Sequence, residues 1–151
     1  MKSLSCFTGL LVAAALIASC DKDVGLANVE TLPIELTGEH TAKSGGVIHY
    51  EGDGGAVSHA GVVWSYIGSP TINHNDGITD DHSGPGSYDS FFDFHSASPR
   101  EVIVSVEENG VRWHETVLAI TIYVKAYARQ SQGGVSYGDV EYLIIILDAD
   151  E

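Results

Sequence analysis

The chain has 151 residues, 44% of them hydrophobic, which is enough for one domain with a core and little more. Seven Lys+Arg stand against 21 Asp+Glu, a formal net charge of -14. That balance excludes the basic footprint of a nucleic-acid binder and electrostatic attachment to anionic lipid, and two cysteines are too few for a disulfide scaffold or a four-cysteine zinc site.

Residues 1–19 differ from the rest. Lys2 is their only charge, and Phe7 to Ala18 is an apolar run. A positive start before about a dozen apolar residues is the build of a secretory signal, too short for a membrane span of roughly 20. Ile17-Ala18-Ser19-Cys20 then places two small residues directly before a cysteine. This resembles the lipobox of bacterial lipoproteins; the bland alternative is an ordinary secretory signal with a chance cysteine. The resemblance implies cleavage before Cys20 and lipidation there, so that acyl chains at about 0.8 kcal/mol per buried CH₂ tie the chain to a membrane. Cleavage would take away 19 residues and one lysine, leaving 132 residues at a formal charge of -15. Cys20 would be the only cysteine left, so no intramolecular disulfide and no thiol nucleophile would remain. Asp21-Lys22-Asp23 resembles the surface-export signals of Bacteroidetes lipoproteins. Under enterobacterial rules, an Asp in that place implies inner-membrane retention instead.

Residues 20–29 read as a polar tether, 30–147 as the domain, and 148–151 as an acidic tail. Thr31 to Leu36 predicts a first strand, with Pro33 suggesting an edge. Gly45 to Tyr50 predicts a second, closed by a glycine-rich turn at 51–55, and Val57 to Ile67 a third. A polar stretch from Gly68 to Gly86 precedes a strand over Ser87 to His95. Glu101 to Glu107 alternates, Asn109-Gly110 is a strong hairpin signal, and Val111 to Thr116 is the return. Ile120 to Ala128 places Ile120, Ile122, Val124, Ala126 and Ala128 on one face, with Thr121, Tyr123, Lys125 and Tyr127 on a wet one. Tyr137 to Leu147 predicts the last strand, whose apolar run from Leu143 is either covered on both sides or part of a contact surface. No helix is predicted after the first segment. Seven to nine short strands argue an all-β, antiparallel β-sandwich.

Six pieces recur in a recognisable order: Thr41 to Ile48, Asp53 to Gly55, Ala60 to Ser65 with Pro70 to Ile72, Ser83 to Tyr88, Tyr123 to Ala128, and Tyr137-Gly138. Their order and spacing resemble the fibronectin type III-like (immunoglobulin-like) modules of Bacteroidetes surface lipoproteins. The resemblance implies that host, which favours surface export, and it implies no catalytic activity and no cofactor. Two departures stand out. Residues 96–119 intervene where a short turn is usual, predicting an extra hairpin inserted before the penultimate strand. Ile122 stands where the sandwich's corner tyrosine is expected.

Candidate sites are few. Seven histidines make no metal-binding motif, although His49 and His59 are candidates to face each other across neighbouring strands. The loop His74 to His82 offers Asp76, Asp80 and Asp81 as hard oxygen ligands for a cation such as calcium. Asp and Gly are also what turns are made of. Glu107-Glu108 and Asp80-Asp81 read as solvated pairs, and no nucleophile elbow or phosphate loop appears. Trp64 and Phe92 read as core. Trp113, Tyr123 and Tyr127 are the candidate ligand-binding aromatics. The expected protein is a non-enzymatic lipoprotein of the outer membrane, an adhesion, recognition or accessory module with a protein or glycan partner. The second expectation is a carbohydrate-binding accessory lipoprotein of a glycan-uptake system, using Trp113 and the 68–86 loop.

Overall fold

A computed structural model describes residues 25–95 and 98–147. Cys20 and the rest of the signal, and the acidic tail 148–151, lie outside the described residues. The described chain is all-β: an antiparallel, fibronectin type III/immunoglobulin-like sandwich of two sheets. The strands are β1 (Asn28–Leu36), β2 (Thr41–Tyr50), β3 (Val57–Ser65), β4 (Gly77–Ile78), β5 (Gly86–Asp93), β6 (Arg100–Glu108), β7 (Val111–Gln130), β8 (Val135–Tyr137) and β9 (Glu141–Ile146). One sheet has the order β1-β2-β5 and the other β4-β3-β7-β6, with β8 and β9 also paired to β7.

The first strand starts at Asn28, so the fold begins inside the expected tether. Gly25 already accepts bonds from the Asp53 and Gly54 amides, and Ala27 is buried. Pro33 lies on β1, at the edge of its sheet, beside a break in register between Leu32 and Glu35. An edge strand tolerates the missing N–H there.

Period-two alternation builds the core. Val62 and Trp64 of β3, Ile122 and Val124 of β7, and Phe92 of β5 bury into one cluster, with Leu143 and Ile145 packed against it. Trp64 stacks on Phe92 at 5.4 Å between ring centroids, and Tyr66 meets the indole edge-on. A second cluster joins Ile48, Ala60, Tyr88 and Ala126.

Two boundaries differ from the sequence reading. The hairpin return and the strand from Ile120 are one 20-residue strand, β7. The last strand is divided into β8 and β9 at Gly138–Val140. Its cause is Thr31, whose hydroxyl accepts from the Ala126 amide (3.1 Å) and donates to the Asp139 carbonyl (2.6 Å). A side chain from β1 thus occupies the ladder position that a continuous strand would fill.

β7 organises its sheet along both edges. Ala119 is opposite Arg100 on one side and Ile146 on the other. Tyr127 is likewise opposite Gly61 and Tyr137. Hence β3 and β6 lie end to end along one edge, and β8 and β9 along the other. The inserted hairpin, β6 with the first half of β7, projects past the end of β3. Asn109 and Gly110 take φ of 52° and 78°, as a two-residue type I′ turn requires.

Candidate functional site

The expected cation loop is used for structure. Asp76 accepts from the Ser65 hydroxyl (2.9 Å) and the Tyr66 amide (2.8 Å), fixing the end of β3. Asp80 pairs with His59 at 2.8 Å. Asp81 is exposed, and its amide donates to Ala60. Among the described residues no three His, Cys, Asp or Glu side chains gather as a metal site. His49 and His59 are not neighbours either: β2 and β3 belong to different sheets, and His49 pairs with Glu30 at 2.7 Å. Glu107, expected to be solvated, pairs with Arg112 at 3.0 Å on an exposed surface.

Of the three candidate aromatics, Tyr127 is not on a wet face. It is 3% exposed, and its hydroxyl donates to the Thr79 carbonyl at 2.7 Å. β4 and the chain after it run along the edge of β3, and the Thr79 carbonyl, closed over Gly61, meets the phenol that reaches across from β7. Burial, reinforced by the nearby Asp80 charge, pushes the Tyr127 phenol up to about 12. Tyr88, whose hydroxyl donates to Gly61 (2.9 Å) inside the core, is raised for the same main reason. A raised folded-state value means that this stability is fully present below the ordinary value of 10 and is lost as pH rises towards 12. Urea midpoints should therefore fall between about pH 10 and pH 12, with a shallower fall in Tyr127→Phe.

Trp113 and Tyr123 remain at the surface and share a face. Opposed residues in an antiparallel pair point to the same side. The register therefore aligns Tyr142 with Tyr123, Ile144 with Thr121, Ile146 with Ala119, Val117 with Val102, and Trp113 with Val106. This face is turned away from the core, into which Ile122, Leu143 and Ile145 point. Tyr142, Ile144, Ile146, Trp113 and Val111 are exposed, and Val102, Val104, Val106 and Val117 are half-buried. A cleft of about 500 Å³ opens where Val104, Val106 and Val117 meet Ile146, with the exposed Glu115, opposite Val104, as the carboxylate in its wall. The apolar run of the last strand thus alternates, with one side in the core and the other in this surface.

Trp113 and Tyr123 are ten positions apart on one strand, roughly 33 Å at the rise of an extended chain. They mark two ends of a long surface, and they cannot share one small-ligand pocket. Trp113 sits on the projecting hairpin opposite Val106, so the site expected between it and the 68–86 loop does not form. A second cleft, of about 360 Å³, lies between the end of β3 and the start of β6, with Tyr66, Asp76, Arg100, Glu101 and Tyr123 in its wall. The sequence left the apolar run of the last strand either covered or part of a contact surface; the exposed residues of that strand are Tyr142, Ile144 and Ile146. Their alternation was visible, but which side faced out was not. Comparison with protein-family models, curated proteins and solved structures finds no match to this chain.

Proposed function

We propose that this chain is a non-enzymatic cell-envelope lipoprotein, held at the bacterial outer membrane by acyl chains on Cys20, and that it acts as an adhesion, recognition or accessory module. The observation that carries the recognition role is the apolar face from Tyr142 to Trp113. Contiguous exposed apolar surface marks a protein contact more often than a monomer's plain exterior. Exposed Trp and Tyr on a polar rim suit a hot spot. The face is long and shallow, which fits a macromolecule. The anchor rests on the lipobox-like residues Ile17 to Cys20, and surface display on the likeness to Bacteroidetes modules.

Two experiments test this reading. Labelled palmitate should enter the chain and fail to enter Cys20→Ala; incorporation in the variant would contradict the anchor. Purified chain added to membranes of the source organism lacking its own copy should bind. Trp113→Ala should lose about tenfold or more of that binding, the mark of a hot spot, with its thermal midpoint unchanged. Equal binding by both would remove the face from the contact.

A carbohydrate-binding accessory role is the second reading, favoured by the 360 Å³ cleft that sets Tyr66 and Tyr123 beside Asp76, Arg100 and Glu101. Aromatic faces with planar polar groups suit a sugar ring. Binding on a glycan array that is lost in Tyr123→Ala and kept in Trp113→Ala would support it. Binding of no polysaccharide would remove it.

A further inference from the structure

The outer edge of β6 is a nine-residue strand edge with no partner among the described residues. Such edges are normally blunted by charged side chains, proline or a bulge; β6 carries charges only at its ends, Arg100-Glu101 and Glu107-Glu108, and none from Val102 to Val106. Here β6 reads R-E-V-I-V-S-V-E-E, and its pairing to β7 is in register throughout. We propose that this edge pairs with β6 of a second copy of the chain, antiparallel about a two-fold axis at Val104.

The register follows from which groups are free. The Leu147 amide donates to the Leu118 carbonyl, so the even residues of this part of β7 turn their polar groups towards β9. The odd residues therefore face β6, and Ala119, Val117, Glu115, Trp113 and Val111 bond to its even members. The tight turn agrees, since Glu108 and Val111 close it as a bonded pair. Glu101, Ile103, Ser105 and Glu107 are left with N–H and C=O groups pointing outwards.

A two-fold axis through Val104 sets Glu101 opposite Glu107 of the other copy, and Ile103 opposite Ser105. Every outward group of both strands then finds a partner. Sliding by two residues either way leaves one of the four residues without its match. Sliding by one would turn the valine side of one copy against the Ile103 side of the other. In the chosen register Arg100 falls opposite Glu108 at both ends, and among the described residues neither is in an ion pair of its own. Glu101 meets a like charge at Glu107, which Arg112 already holds at 3.0 Å. Val102 meets Val106 on either side of the paired Val104. The valine faces of two copies join into one sheet face, with a Trp113 on each side. The pairing extends the surface argued for recognition, but it rests only on the strand edge and needs no anchor.

Val104→Cys in the detergent-solubilised full chain tests it. A non-bonded antiparallel pair brings its Cα atoms to about 4.5 Å, within disulfide range. Oxidation by copper phenanthroline in air should give a covalent dimer whose peptides show a 104–104 link. Ile103→Cys, offset from its own copy, should give about tenfold less 103–103 link. Adding Ser105→Pro, which removes an outward N–H and no bond to β7, should abolish the 104–104 link while circular dichroism stays unchanged. The parent chain controls for Cys6 and Cys20. A monomer by light scattering with no 104–104 link would overturn the proposal. So would a 103–103 link of equal yield, or capture of the thiol introduced by Val104→Cys by a different protein only. If the link is absent and Trp113→Ala still loses membrane binding, self-pairing falls and the recognition reading stands.

Discussion

Replacing Trp64 with alanine should destabilise the sandwich by about 3–5 kcal/mol, the range for emptying a buried aromatic site. Trp64 is 7% exposed and joins both sheets, stacking on Phe92 of one from its own place on β3 of the other. Tyr66 packs edge-on against it and would lose that contact too. The strands on either side are held by ladders, so the cavity cannot close by collapse of one side chain. Urea denaturation should show a lower midpoint with an unchanged slope. A loss below about 1 kcal/mol would mean that the two sheets do not meet at this residue.

The second large effect belongs to Thr31. Thr31→Val keeps the shape and removes both hydroxyl bonds, leaving the buried Ala126 amide without its acceptor. An orphaned buried group costs about 1–3 kcal/mol. The Gly138 amide donates to the Ala126 carbonyl at 3.0 Å, which brings its backbone against β1. A Cβ on Gly138 would lie 2.6 Å from the Thr31 amide nitrogen, a backbone atom that can only move with its strand. Gly138→Ala should therefore cost at least as much as Thr31→Val. Both changes loosen the same joint, so the double variant should lose less than the sum of the two. Strict additivity in a double-mutant cycle would argue that the joint does not act as a unit.

The sequence showed most of the sandwich because most of it is local. Trp64, Phe92 and Ile122 fall at period-two positions, and Asn109-Gly110 dictates its own turn. What it hid depends on distant parts of the chain. The break in the last strand is made by a residue 108 positions away. Tyr127 has the alternation of a wet residue, but its hydroxyl reaches across Gly61 to the Thr79 carbonyl beyond β3, and no pattern within β7 records that contact. The unity of β7 was masked because its first half is exposed on both faces and its second half is not. Asp76 and Asp80 read equally as cation ligands or as turn residues because the same carboxylates do both; in the fold Asp76 fixes the end of β3 and Asp80 pairs with His59. Trp113 and Tyr123 were found as aromatics. Tyr142, Ile144 and Ile146 join them only once the register of β9 on β7 is known.

Under the proposed function, the apolar face from Tyr142 to Trp113 is where this chain meets its partner. Live-cell photo-crosslinking tests it most directly. A benzophenone side chain is placed in turn at Trp113, Ile144 and Ile146 on the face, and at the exposed Ser58 and Asp93 elsewhere. One common crosslinked product is expected from the three face positions and none of it from the other two. The same product from Ser58 or Asp93 with none from the face would contradict it.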